Sequence, residues 1–221
     1  MTAIIFDLDG TLIDSAPDIH AAVARMLAED GQSPLDFATV RGFIGNGVPV
    51  LIDRVMAARH EVANAGRRVD LIARFLAIYE AASADLTTVY PGVRDALILL
   101  REAGHPLGIC TNKPAGAARD VLAAFDLLDF FAVIVGGDSL PVRKPDPAPL
   151  WASFRQVGAV GGLFVGDSEV DAQTAAAAGV PFLLYTEGYR KLAVADLPHR
   201  AAFADFADLA GLVMREEGLL A

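Results

Sequence analysis

The run Ala3-Ile4-Ile5-Phe6-Asp7-Leu8-Asp9-Gly10-Thr11-Leu12 opens with four apolar residues and then breaks into acids and a glycine. A short apolar run with such a break reads as a strand buried on both faces that ends in a loop. The next stretch differs in kind. Ser15-Ala16-Pro17-Asp18 has the shape of a capping box, and Ile19, Val23, Met26 and Leu27 then share one helical face until Gly31 stops it. Helical patterns continue over Phe37 to Ile44, Val48 to Ala58 and Val69 to Ala84, with no convincing strand. After Tyr90-Pro91-Gly92 the pattern changes again. Short apolar runs, Pro106 to Cys110, Ala132 to Val135, Gly162 to Val165 and Pro181 to Tyr185, alternate with amphipathic stretches, and Phe206 to Glu216 reads as a final helix. Alternation of strand and helix predicts a parallel sheet covered on both faces. The expected fold class is therefore α/β. A Rossmann-like core with a parallel five-stranded sheet and helices on both faces takes residues 1–14 and 89–221, and an all-helical cap at residues 15–88 is inserted after the first strand.

Composition narrows the chemistry. In 221 residues, 54% hydrophobic and 21% charged leave ample material for a packed core and argue against wholesale disorder. The mean hydropathy of +0.42 is high. Yet no stretch reaches the roughly 18–20 uninterrupted apolar residues of a spanning helix, and much of the apolar content is alanine. The first residues carry no basic segment, so no ordinary signal peptide is expected. A net charge of −10 argues against nucleic acid or an anionic membrane as partner. Cys110 is the single cysteine, so no intramolecular disulfide is possible, and a cytoplasmic protein is expected. His20, His60, His105 and His199 are scattered and form no triad with a serine. Trp151 and the phenylalanines are expected in the core.

Four polar signals each sit just after an apolar run: Asp7-Leu8-Asp9-Gly10-Thr11, Thr111-Asn112-Lys113, Arg143-Lys144-Pro145 and Gly166-Asp167-Ser168-Glu169-Val170-Asp171. In an open α/β sheet the ligand site lies outside the carboxyl ends of the strands, so residues distant in sequence meet in one crevice. A carboxylate there can attack phosphorus and split one hard displacement into two easier ones. Asp7 and Asp9, two residues apart at a strand end, point the same way. Asp167 and Asp171 bring the carboxylates to four. Like charges repel by about 4 kcal/mol per pair at roughly 4 Å and an effective dielectric near 20; a hard divalent cation such as Mg²⁺ resolves that. The hydroxyl of Thr111 and the ammonium of Lys144 suit non-bridging phosphate oxygens, and Asn112 is a further candidate contact. Gly10 lets the chain turn tightly and is expected to present its N–H to a phosphoryl oxygen. Lys113 is expected at the surface or behind the reacting groups. Taken singly, Asp7 reads as a turn cap, Asp9 as a solvated loop acid and Lys144 as a loop lysine; the joint pattern favours catalysis. For Asp171, capping of the helix at Ala172 to Ala178 and a functional role both stay open.

In this order and spacing, DLDGTL, TNKP, RKPDP and GDSEVD resemble the four motifs of the haloacid-dehalogenase superfamily, and the helical insert is placed like that family's cap (C1 type). The resemblance implies a phosphomonoester hydrolase acting through an aspartyl-phosphate with Mg²⁺. It implies Asp7 as nucleophile and Asp9 as the acid, then the base. By the same resemblance Asp7 and Asp167 give side-chain oxygens to Mg²⁺ and Asp9 its backbone carbonyl, with Asp171 orienting water or Lys144. Ser15 to Asp18 after DGTLID, with Phe43-Ile44-Gly45-Asn46-Gly47, is most similar to phosphoglycolate phosphatases, which implies 2-phosphoglycolate as the small-molecule substrate. Gly45, Asn46 and Gly47, flanked by Arg41 and Arg54, read either as a plain interhelical turn or as a loop whose N–H groups take the substrate carboxylate; both stay open. Other small-metabolite phosphatases, a pyrophosphatase and a sugar-phosphate mutase are alternatives within the family. A non-catalytic phosphate-binding regulatory protein on the same fold is the alternative outside catalysis. A monomer or homodimer is expected.

Overall fold

In the computed structural model, which describes residues 1–61 and 64–220, the opening run is strand β1 (Ala3–Phe6), with all four side chains buried. The chain divides into two units, Met1–Asp14 with Val89–Ala221, and Ser15–Thr88. In the first unit β1 is joined by β2 (Leu107–Cys110), β3 (Val133–Val135), β4 (Gly162–Gly166), β5 (Phe182–Tyr185) and β6 (Ala201–Phe203). All pairings are parallel, and the strands lie in the order β3-β2-β1-β4-β5-β6. That order reverses direction between β1 and β4, and the reversal opens a crevice beyond their carboxyl ends.

The sheet has six strands, not the five expected. The sixth, Ala201–Phe203, is an edge strand with one neighbour, and only Phe203 of its three residues is buried. With a single side to cover it needs no apolar run, so periodicity does not reveal it. Helices α5 (Val93–Glu102), α6 (Ala115–Ala124), α7 (Ala148–Gln156), α8 (Glu169–Ala178) and α9 (Leu209–Leu220) complete this unit, with a 3-10 turn at Phe206–Asp208 before the last. Ala3 and Ile5 of β1 pack with Leu150 and Phe154 of α7 and Ala172 and Ala175 of α8. Ile4 and Phe6 face the other way and are equally buried. Cys110 lies in the same cluster as Ile5, and burial pushes its thiol up to about 12. Trp151 is 43% exposed rather than in the core, its ring N–H donating to Ala178 O at 3.3 Å.

The helical unit holds α1 (Ala16–Glu29), α2 (Phe37–Arg41), α3 (Val48–Ala58) and α4 (Ala65–Glu80). Ser15 precedes α1 but makes no side-chain cap bond, so the expected capping box does not form. Asp18 turns elsewhere: its carboxylate accepts from Leu86 N at 3.0 Å and from the N–H and hydroxyl of Thr87 at 2.7 and 2.6 Å. Those bonds tie the start of the unit to its end and satisfy a buried carboxylate with three donors. Asp36 and Asn64 cap α2 and α4 by accepting from Thr39 N and Arg67 N. The unit's interior includes Val23, Met26, Ile52, Val55, Leu71 and Phe75, the last stacked on Tyr79 at 5.7 Å. Asp30 holds Arg67 and Arg74 on its surface. Among the described residues no helix is long and apolar enough to cross a membrane.

Candidate active site

Register decides which residues meet. Phe6 pairs with Val165 on β4 and with Ile109 on β2, so the residues just beyond these strands emerge at one end of the sheet. Asp7 comes directly after β1, Asp167 after β4 and Thr111 after β2. Carboxylate oxygens of Asp7, Asp167 and Asp171 lie within 4.8 Å of one another. Lys144, in the loop between β3 and α7, is 2% exposed. Its Nζ is 2.9 Å from Asp7 Oδ1 and donates to Asp171 Oδ1 at 2.6 Å.

Each side chain is held by its neighbours. Asp167 accepts from Thr11 Oγ1 at 2.8 Å through Oδ1 and from Tyr189 N at 2.5 Å through Oδ2. Gly10 has φ +89°, and a Cβ there would meet Asp167 Oδ2 at 2.5 Å and the Tyr189 ring at 2.8 Å. Only glycine satisfies both the positive φ and the close approach. Its N–H, expected to face a phosphoryl oxygen, donates instead to Ile13 O at 2.8 Å, because the loop must close its own turn. Asp171 caps a helix and also holds Lys144. Its Oδ2 accepts from Ser168 Oγ at 2.6 Å and Ser168 N at 3.1 Å in a capping box at the start of α8, while its Oδ1 takes Lys144. The helix itself begins at Glu169, with Ser168 as the N-cap. Asn112 donates through Nδ2 to Lys144 O at 2.9 Å and so supports the loop that carries the lysine. Thr111 is 3% exposed, with its N–H bonded to Val135 O.

Burial, with Asp171 beside it, pushes the Asp7 carboxyl up to about 7 even though Lys144 pulls it down. Burial, then Asp171 and Asp7, hold Asp167 well above the ordinary carboxylate range. Burial alone would lower Lys144, but Asp171 and Asp7 more than offset it, and the ammonium is stabilised. Two buried carboxyls pushed upward with a third alongside mark a site short of positive charge. An all-oxygen donor set of this kind fits a hard divalent cation that keeps some of its waters, as Mg²⁺ does.

Sequence reasoning passed over two contributors, Thr11 and the segment Gly188-Tyr189, and left Lys113 between the surface and a place behind the reacting groups. Lys113 is 7% exposed, not at the surface, and its Nζ donates to Asp9 Oδ1 at 2.8 Å. Thr11 enters as a partner of Asp167 across 156 residues. Gly188-Tyr189 lies beyond β5 and presses on the same acid; a Cβ on Gly188 would collide with Asp167 and with Gly10 O. The Tyr189 hydroxyl donates to Asp14 Oδ1 at 2.6 Å. A signal did exist for this segment: Thr186-Glu187-Gly188-Tyr189 is a fifth polar stretch placed just after an apolar run.

Gly45, Asn46 and Gly47 lie in the helical unit. Gly45 has φ +115°, and Gly47, at φ +83°, is the N-cap of α3. Arg54 on α3 reaches back to this loop, donating to Phe43 O at 2.7 Å and to Asn46 Oδ1 at 2.9 Å. The loop is thus braced by an arginine one helical face away.

Residues 4–185 match the family model of the haloacid dehalogenase-like hydrolases. The chain is 55% identical over 215 residues to a phosphoglycolate phosphatase of Cereibacter sphaeroides, covering 97% of this chain and 99% of that one. It is 45% identical to a phosphoglycolate phosphatase of Rhodospirillum rubrum, covering 94% and 88% of the two chains. A crystal structure described as a predicted phosphoglycolate phosphatase from Haemophilus somnus superposes with a TM-score of 0.89 at 30% identity, covering 96% of this chain and 97% of that one.

Proposed function

Because the chain belongs to the haloacid dehalogenase-like hydrolases, we propose that it hydrolyses phosphomonoesters through an aspartyl-phosphate on Asp7, with 2-phosphoglycolate as substrate. The observation that carries this reading is Asp7 and Asp167 side by side beyond adjacent strands, with Lys144 between Asp7 and Asp171. The relatives that share nearly the whole length of the chain are named for the same substrate.

In the first step a carboxylate oxygen of Asp7 attacks phosphorus and the ester P–O bond breaks, while Asp9 gives its proton to the departing oxygen. In the second, water attacks the phosphorus and Asp9 takes the water's proton. Phosphate leaves and Asp7 is regenerated. Lys144 and Thr111 hold the non-bridging oxygens, whose charge dominates a phosphoryl-transfer transition state. Asp171 keeps Lys144 aimed. The carboxylates of Asp7 and Asp167 and the backbone carbonyl of Asp9 would hold Mg²⁺, which would supply positive charge for the phosphoryl oxygens.

Excess chelator should abolish phosphate release, and added Mg²⁺ should restore it. Asp167→Ala should raise the Mg²⁺ concentration for half-maximal activity by about tenfold to a hundredfold, the loss produced by removing even an outer partner of a metal ligand. Full activity in chelator would refute the metal's role.

The helical unit supplies the specificity in this reading. The braced loop at residues 43–47 takes the substrate's carboxylate through N–H groups at the start of α3. Asn46→Ala removes the bond from Arg54 that braces this loop and should lower kcat/KM for 2-phosphoglycolate by about tenfold to a hundredfold, the range for a lost hydrogen bond to a charged group. Hydrolysis of an aryl phosphate should change little. Equal losses on the two esters would mean that the loop only shapes its own unit.

A further inference from the structure

Lys113 stands just past the end of β2, and its side chain is 4% exposed. Burying an ammonium costs several kcal/mol unless a partner of good geometry repays it, so a lysine in this place needs a reason. Its Nζ donates to Asp9 Oδ1 at 2.8 Å, across 104 residues of sequence. The backbone from which it springs is fixed on both sides. Lys113 N donates to Thr111 Oγ1 at 3.2 Å, and Lys113 O accepts from Gly137 N at 2.9 Å. Gly136 fits under it only as glycine, since a Cβ would meet Lys113 O at 2.8 Å. A long side chain is thus launched from a rigid point just beyond β2 toward an acid on the neighbouring loop after β1.

A carboxyl group that hands a proton to a departing oxygen must present that oxygen in one direction, yet the backbone of a loop does not fix rotation about its side-chain bonds. We propose that Lys113 is a positioning residue for Asp9: it holds Oδ1, sets the plane of the carboxyl group and thereby aims the other oxygen at the leaving group. The inference rests on the reading of Asp9 as general acid. The proton that leaves Asp9 goes to the ester oxygen, and the carboxylate that remains keeps Lys113 as its hydrogen-bonded cation until water returns a proton. Lys144 is excluded from this task by its own bonds to Asp7 and Asp171.

The test separates leaving groups. An alkyl ester such as 2-phosphoglycolate expels an alkoxide that needs a proton; p-nitrophenyl phosphate expels a phenolate that does not. The quantity to measure is the single-turnover rate of ester cleavage, so that hydrolysis of the phosphoenzyme, common to both, does not mask the difference. Lys113→Met should slow the alkyl ester by about a hundredfold, the lower end of what general acid–base catalysis contributes. KM should stay close to wild type and the aryl ester should be nearly unaffected. Lys113→Arg, which keeps a cationic donor, should recover part of the rate. In an Asp9→Asn background Lys113→Met should add little, because the two act as one unit.

Loss of rate on both esters alike in Lys113→Met, with Asp9→Asn still discriminating between them, would overturn the role given to Lys113. Failure of Asp9→Asn itself to discriminate would instead remove Asp9 as the acid, and this inference with it. Should Lys113→Met fail to fold by circular dichroism, Lys113→Gln carries the same comparison.

Discussion

Asp7→Asn is expected to lose turnover by about four orders of magnitude or more, the scale on which removal of a covalent nucleophile acts, while keeping its fold. The amide has the volume of the carboxylate and still offers an oxygen to Lys144, which sits 2.9 Å from Asp7 Oδ1. What it lacks is the charged oxygen that attacks phosphorus. Stability should not fall with activity. Buried carboxylate oxygens of Asp7, Asp167 and Asp171 lie within 4.8 Å of one another, so removing one negative charge relieves repulsion in the metal-free protein. Its melting temperature should equal or exceed that of the wild type, the usual trade between a strained site and the rest of the fold. Steady-state phosphate release and a thermal melt measure the two halves. Rapid quench with labelled substrate gives the decisive outcome: label on any residue other than Asp7 would sink the assignment.

Lys144→Met should do the opposite to stability. The ammonium is nearly inaccessible and lies within 2.9 Å of Asp7 and 2.6 Å of Asp171. Removing it leaves buried carboxylates without their cation. Breaking a buried pair from one side costs about 3–5 kcal/mol, enough to displace a melt by several degrees in a domain of this size. Activity should fall as well, by about a hundredfold to a thousandfold, as when one preorganised donor to a transition-state charge is deleted. Added Mg²⁺ should recover some of the lost stability, by restoring positive charge among the acids, without recovering the rate. A Lys144→Met protein that melts like the wild type would show that the buried charges do not depend on this lysine.

Much of this architecture is legible before any coordinates, and the reason is local. Four apolar residues followed by Asp7 define β1 because a strand covered on both faces must be apolar throughout and must end where acids begin. The same rule locates β2 to β5 to within a residue, and a 3.6-residue period reproduces α3 at Val48–Ala58. The period does less well at helix ends, where caps rather than apolar faces decide. α4 starts at Ala65 because Asn64 caps it, four residues before the first apolar residue of the expected helix, Val69. β6 escaped because an edge strand owes its place to one hydrogen-bonded neighbour and not to its own composition. Trp151 misled for a related reason: a large ring is no proof of burial when its polar end has a partner at the surface.

At the candidate site, the residue types and their position after apolar runs are set by the sequence alone, since a short run followed by Asp, Thr or Lys at a strand end is a local pattern. Which oxygen holds which donor is not local. That Lys113 reaches Asp9, that Thr11 and Tyr189 grip Asp167, and that Asp171 serves a helix cap and Lys144 together are all consequences of strand order and register. β2 and β4 flank β1 because the chain crosses the sheet in that sequence. Lys113 and Asp9 are therefore separated by 104 residues and Thr11 and Asp167 by 156, distances over which no periodicity carries information. The sequence determines the chemical groups and the ends of the elements that bear them. The tertiary structure decides their partners, because a buried charge accepts only the neighbour that the packing of parallel strands brings within hydrogen-bonding reach.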